Sequence, residues 1–144
     1  MTDFHGQNKA AKAYGAVAVH SGVEAADPHR LVQMLMEGAM QKMLAARLAM
    51  QQGNIQHKGE NISWAISILD GLRDGLDIEQ GGEIAANLDD LYEYMSRRLL
   101  EANLHTDIGV LDEVVSLLRE IKEAWDTIPR QMQPPPSEAT RDDE

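Results

Sequence analysis

The sequence contains no cysteine and few aromatic residues. Without cysteine the chain forms no disulfide bond and no cysteine-ligated zinc site, so its folding does not require an oxidising compartment. Aromatic residues make up 4% of the 144 residues, whereas all hydrophobic residues together make up 43%. Because β-sheets draw on aromatic and β-branched side chains, this balance predicts an all-α protein with a packed core.

Basic residues and long apolar runs are also scarce. There are 13 Lys and Arg against 24 Asp and Glu, which gives a formal net charge of -11. A chain this acidic repels phosphate backbones and anionic lipids, so we expect neither nucleic-acid binding nor membrane insertion. No apolar run approaches the roughly 20 residues that cross a bilayer, and the N-terminus lacks the apolar core of a signal peptide. We therefore expect a soluble protein of the cytosol.

The hydrophobic periodicity predicts an antiparallel four-helix bundle over residues 27–129. Asp27 and Pro28 form a helix start signal, Gly53 a stop signal, and Thr106 or Asp107 a further cap. The expected helices cover about residues 28–52, 55–78, 83–104 and 107–128, with a turn at 79–82. Residues 1–26 are expected to form a short mobile segment, and the Pro-rich acidic tail, 130–144, to be disordered.

The apolar arc of the first helix is wider than one bundle face requires. Its methionines include Met36, Met40 and Met43, and two apolar residues of the second helix, Trp64 and Ile68, flank the core stripe of that helix. Composition alone favours core filling for the methionines, whereas the off-stripe residues favour a surface that binds a partner. In the third helix we expect Ile84 on the inner face. Arg98 lies nearer that face, where a guanidinium needs a carboxylate or helix-end carbonyls, and we favour this structural role over contact with a partner.

The sequence lacks the residue patterns that catalytic helical bundles need. Di-iron bundles need several Glu and two Glu-x-x-His pairs, whereas Glu101 and His105 form a single pair spaced by four. The histidines lie at termini or at predicted helix ends, where we expect them to be exposed. A histidine phosphotransfer bundle that uses His57 remains an alternative, although His57 and Lys58 are adjacent and would face different directions. We expect no catalytic activity, no metal and no cofactor.

Several stretches of the sequence are similar to those of a known family. They are GGEIAANL at 81–88, LYEYMSRRL at 91–99, AN at 102–103, ADP at 26–28 and LVQMLMEG at 31–38, together with Tyr14, Leu72-Arg73 and Trp125. This pattern resembles the family of the flagellar secretion chaperone FliS. In two places the chain departs from it: Asp27 replaces the usual Ser before the helix-start Pro, and Met36 replaces a Tyr.

The resemblance implies a four-helix bundle that binds the disordered C-terminal segment of flagellin in the cytosol. It also implies delivery of that client to the flagellar type III export gate, and an N-terminal segment that covers the client groove. Tyr14 matches the Tyr of that segment, with Val17 near it. Our hypothesis is that the groove is lined by Met36, Met40, Met43, Trp64 and Ile68. The loss of the Tyr hydroxyl at Met36 would make that part of the surface wholly apolar.

Two questions stay open at this point. The same surface would also suit a regulatory bundle that binds another flagellar assembly factor or an anti-sigma partner. The sequence is compatible with a monomer and with a dimer that exchanges N-terminal segments.

Overall fold

Side chains that cap the backbone begin each of the four helices. The computed structural model describes residues 27–128, and the predicted segments 1–26 and 130–144 lie outside them. The helices are α1 (Pro28–Gln52), α2 (Ile55–Asp74), α3 (Ile78–His105) and α4 (Ile108–Asp126), and residues 27–128 contain no strand. Each N-cap side chain accepts a hydrogen bond from the N–H three residues later; the caps are Asp27, Asn54, Asp77 and Asp107. The predicted all-α fold is confirmed.

The second helix ends about four residues before the predicted boundary, and a helical turn that was not predicted precedes the break at Gly82. α2 ends at Asp74, and the N–H of Gly75 donates to the carbonyl of Gly71. Asp77 then caps the next helix by accepting from the N–H of Gln80 at 3.1 Å. Residues 79–82, expected as a turn, therefore belong to a short first turn of α3 that ends at the break, and the regular part of the helix begins near Glu83, as predicted.

Gly82 interrupts α3 after its first turn. Its φ of 59° and ψ of -132° lie outside the helical region, in a conformation that residues with a Cβ rarely adopt. Gly81 packs so closely on the next turn that a Cβ added to it would stand 2.6 Å from the Cβ of Ala85. The two glycines thus set the first turn of α3 at an angle to the rest of the helix and hold it against Ala85.

The four helices close into an antiparallel ring around one apolar core. α1 packs on α2 and α4, and α3 packs on the same two helices from the other side. The largest side chains that are fully buried come from all four helices: Met36, Met43, Ile62, Leu69, Met95, Leu99, Leu111, Val114 and Leu118. Burying each such side chain contributes about 1.5–3 kcal/mol relative to exposure, so the core is the main source of stability.

Polar contacts set the register between neighbouring helices. α1 and α4 are joined by Gln33–Asp126, Glu37–Lys122 and Arg47–Asp112. α2 and α3 are joined by Arg73–Asp89 and by the buried Lys58, whose Nζ donates to the carbonyl of Asn103 and to the hydroxyl of Thr106. Arg98 of α3 pairs with Glu113 of α4 at 2.9 Å, which confirms its predicted structural role.

Two expectations about burial were wrong. Ile84, expected on the inner face of α3, is 72% exposed because it lies just after the break at Gly82, at the end of the bundle. His29, expected to be exposed, is buried: its ring stacks on Trp125 at 5.1 Å between centroids, and the Trp125 indole N–H donates to the His29 carbonyl at 3.1 Å. This contact joins the start of α1 to the end of α4.

Candidate functional site

An apolar ridge runs along the outer side of α1. Met40, Leu44 and Leu48 follow one another at intervals of four residues, which places them on one side of the helix. Met40 is partly buried against the core, whereas Leu44 and Leu48 are 47% and 54% exposed. The ridge therefore continues from the core edge into solvent.

Ion pairs with α4 flank this ridge at both ends. Toward the start of α1, Glu37 pairs with Lys122, whose Nζ lies 3.5 Å from its carboxylate. Toward the end, Arg47 pairs with Asp112 through two hydrogen bonds of 2.7 and 3.2 Å. The hydrogen bond from Arg47 lowers the pKa of the Asp112 carboxyl, and the hydrogen bond to Asp126 raises the pKa of Lys122. The two pairs place the ridge along the contact of α1 with α4.

A second apolar feature lies on the opposite side of α1, at its contact with α2. Trp64 of α2 is 36% exposed, and the ammonium of Lys42 stands 5.4 Å from the centroid of its ring. A cation at this distance is attracted to the face of the indole. One turn further on, Ile68 is buried, and its Cδ1 would lie 3.8 Å from a Cβ added to Gly38. A side chain at position 38 would thus make an ordinary van der Waals contact with Ile68, where α1 packs on α2 beside the exposed indole.

The structure does not bring the predicted groove residues together on one surface. Met36 and Met43 are fully buried in the core, and Ile68 is nearly so. Met40 and Trp64 reach the surface, but Met40 and the Lys42 that contacts Trp64 are two residues apart on α1. Residues at that spacing point to opposite sides of a helix.

The segment that carries Tyr14 and Val17 lies outside the described residues. The role of these two side chains in covering a groove stays a prediction, and so does the role of the groove residues in binding.

Leu44 and Leu48 are surface residues that the sequence-based hypothesis missed. Both lie in the apolar arc whose excess width indicated a partner surface, at i+4 and i+8 from Met40. The periodicity does not show which part of so wide an arc faces the core. That choice follows from the packing of α2 and α4 on either side of α1.

The polar groups near these surfaces are engaged in structural contacts. Residues 27–128 contain no group of three His, Asp or Glu side chains placed to hold a metal ion. His57 is an exposed residue of the first turn of α2, where its N–H donates to the Asn54 cap. Of the helices described here, none is both long and apolar enough to cross a bilayer.

Exposed apolar ridges on helical bundles are typical of proteins that bind other polypeptides. The family model described as flagellar protein FliS matches residues 10–132 of this chain. The chain is 52% identical over 118 residues to the flagellar secretion chaperone FliS of Salmonella typhimurium, covering 81% of this chain and 87% of that protein. It therefore belongs to the FliS family of flagellar secretion chaperones.

Other relatives agree with this assignment. The flagellar secretion chaperone FliSB of Pseudomonas aeruginosa is 51% identical over 120 residues, covering 83% of this chain and 95% of that protein. The FliS protein of Bacillus subtilis is 30% identical over 105 residues, covering 73% of this chain and 77% of that protein. The resemblance inferred from the sequence is thus confirmed over most of the chain.

Proposed function

We propose that this protein is a cytosolic export chaperone that binds the disordered C-terminal segment of a flagellin. In this role it prevents premature polymerisation of the client and delivers it to the flagellar type III export apparatus. The observation that carries the proposal is the identity of about half of all aligned residues to flagellar secretion chaperones. A client is a polypeptide, and the exposed ridge of α1 is a surface that suits one.

The physical demands of the task agree with the bundle. A segment that folds on binding buries on the order of 1,000–3,000 Å² and spends a few kcal/mol on becoming ordered. The resulting affinity is specific but reversible, and a chaperone that must release its client for export needs both properties. The α1 ridge offers Leu44 and Leu48 as anchors, and a methionine beside them can adapt to client side chains of different shape.

The predicted site residues take different parts in this proposal. Met40 and Trp64 contact the client directly, one on each side of α1, so a bound client extends across that helix. Met36, Met43 and Ile68 support these surfaces from the core beneath. Tyr14 and Val17 belong to a segment that covers part of the surface until the client displaces it.

Calorimetric titration with a flagellin peptide tests the proposal. The full-length protein is titrated with a peptide of about 40 residues from the C-terminus of the cognate flagellin, and helix content is followed by circular dichroism. We expect 1:1 binding, a negative heat-capacity change from apolar burial, and a gain of helix. If neither heat nor helix gain appears at high micromolar peptide, the protein is not a flagellin chaperone.

A matched pair of variants tests the ridge itself. Leu44→Asp with Leu48→Asp should weaken peptide binding by at least about a hundredfold, because two apolar anchors become charged groups that lose hydration on binding. Leu100→Asp with Leu104→Asp is the control, since these leucines are also exposed and spaced by four, but lie on α3. Equal losses in the two variants would show that the ridge has no special part in binding.

A further inference from the structure

The end of the bundle where α2 passes into α3 exposes two isoleucines. Ile78, the first residue of α3, is 46% exposed, and Ile84, just past the break at Gly82, is 72% exposed. The two isoleucines stand on either side of the break at Gly82, and exposed apolar side chains of this size at one end of a bundle often mark a partner site. We name this surface, Ile78 and Ile84 with the carboxylates of Asp74, Glu79 and Glu83, the acidic apex.

The carboxylates of the acidic apex lack the compensation found elsewhere in the bundle. The stretch 74–83 contains four Asp and Glu and no Lys or Arg. Within residues 27–128, the side chains of Asp74, Glu79 and Glu83 form no ion pair. By contrast, Arg47 and Arg98 pair with carboxylates of α4. The negative potential around Ile78 and Ile84 is therefore not neutralised by the protein itself.

The backbone holds the acidic apex in a defined shape. The N–H of Gly81 donates to the carbonyl of Asp77 at 2.7 Å, and Gly81 packs against Ala85. Ile78 and Ile84 are thus attached to two turns whose relative position is fixed before any partner arrives. A surface that is already ordered loses little entropy on binding.

We propose that the acidic apex docks a basic amphipathic segment of a partner protein, one that presents apolar side chains among Lys and Arg. Charge complementarity identifies the occupant: such a segment covers the isoleucines and neutralises the surrounding carboxylates at once. A second copy of this chain is a poor occupant, because it would bring one acidic apex against another in proteins of net charge -11. The proposal does not depend on flagellin binding, and its test contains no flagellin.

The probe is a fluorescein-labelled amphipathic peptide of about 16 residues, with Leu on one helical face and Lys on the other. Its anisotropy is measured against the full-length protein at about 150 mM salt, where the longer-range attraction to an acidic protein is largely screened. We expect binding to weaken by at least about tenfold when Ile78→Ser and Ile84→Ser are combined. The control combines Ile55→Ser and Leu104→Ser, which lie at the opposite end of the bundle and are at least as exposed; it should bind as the unmodified protein does.

A second pair of variants separates the acidic apex from overall acidity. Two double variants each change the net charge by two. The first pair, Glu79→Gln with Glu83→Gln, lies at the acidic apex, and the second pair, Glu120→Gln with Glu123→Gln, lies outside it. We expect the first pair to weaken peptide binding severalfold and the second to leave it unchanged. Circular dichroism of every variant checks that the helices are retained.

Three outcomes overturn the proposal. If both isoleucine and control variants bind the peptide equally, the attraction is not local. If both glutamine pairs weaken binding equally, the peptide responds only to net charge. If sedimentation shows a dimer that Ile78→Ser with Ile84→Ser dissociates, the acidic apex is a contact between copies and not a site for a basic partner.

Discussion

Tyr92 is a titratable side chain in the apolar core of the bundle. It is 2% exposed and packs in the main cluster with residues of all four helices. Burial disfavours the phenolate and raises the pKa of Tyr92 to about 12. The hydroxyl therefore stays protonated well above the pH at which the same group ionises in the unfolded chain.

The raised pKa of Tyr92 predicts a loss of stability at alkaline pH, which the substitution Tyr92→Phe should remove. Between pH of about 10 and 12 the unfolded chain releases the Tyr92 proton while the folded protein retains it, so the free energy of unfolding falls as pH rises. The contribution reaches about 2 kcal/mol by about pH 11.5. Urea denaturation of the wild type and Tyr92→Phe, at about pH 9 and about pH 11.5, should show that excess loss in the wild type alone. Parallel pH curves would contradict burial of the hydroxyl.

Single residues also show where local sequence signals are insufficient. His29 lies in the first turn of a helix, a position usually exposed, yet it is buried because Trp125 at the end of α4 stacks on its ring. Met36 and Leu44 both belong to the broad apolar arc of α1, and one is fully buried while the other is 47% exposed. Which of these two residues is buried depends on where α2 and α4 pack against α1.

At the scale of the element, Gly82 is the position that most constrains α3. Its φ of 59° and ψ of -132° belong to a region that is essentially restricted to glycine. No neighbouring atom lies within 4 Å of where a Cβ would stand, so a larger residue would be penalised through the backbone and not by a clash. The break between Ile78 and Ile84 therefore depends on the absence of a side chain here.

Substitution of two glycines by alanine should have opposite effects. Gly82→Ala should lower the free energy of unfolding by about 1–3 kcal/mol, because alanine is strained in this conformation. Gly59→Ala is the matched control: Gly59 lies within α2, also with nothing within 4 Å, and alanine should raise the free energy by about 1 kcal/mol. Urea denaturation of both variants measures the two changes. A stabilising Gly82→Ala would show that α3 runs through this position without a break.

Helix ends could be predicted where the signals are local and agree with one another. Asp27 with Pro28 and Gly53 mark the ends of α1, and the structure confirms both. Between α2 and α3 the signals conflict, since Leu76 continues the apolar spacing of α2 across Gly75, whereas Asp77 can cap a new helix. The cap prevails, and residues 75–77 leave the helix.

The candidate site could be predicted only in part for a related reason. The excess width of the apolar arc of α1 pointed to a partner surface, but its exposed members, Leu44 and Leu48, depend on how the other helices pack. The class of partner was inferred from the family resemblance, because the periodicity of the helices carries no information about it.

At the scale of the whole molecule, two adjacent acidic residues of α4 connect this helix to both of its neighbours, α1 and α3. Asp112 pairs with Arg47 of α1, and the next residue, Glu113, accepts hydrogen bonds from Arg98 and Tyr94 of α3. Consecutive residues point about 100° apart around a helix, so Asp112 and Glu113 reach the two different helices that pack on α4. The bundle register thus depends on two adjacent carboxylates.

These carboxylates predict an acid-sensitive contribution to stability. The hydrogen bonds from Arg47 to Asp112, and from Tyr94 and Arg98 to Glu113, lower the pKa of both carboxyls below their ordinary values. The stability they contribute is present above the ordinary carboxyl pKa of about 4 and is lost as pH falls through the lower, folded-state values. Asp112→Asn with Glu113→Gln should therefore lower the free energy of unfolding at neutral pH and make its decline between about pH 5 and about pH 3 shallower.

The control variant combines Glu120→Gln and Glu123→Gln, and both variants are measured by urea denaturation across that pH range. The control removes the same charge from α4, at residues that form no ion pair within 27–128. Since both variants relieve the repulsion of a -11 chain equally, a shallower acid decline in both would assign the effect to net charge, and one confined to the Asp112 and Glu113 variant would assign it to the contacts across α4.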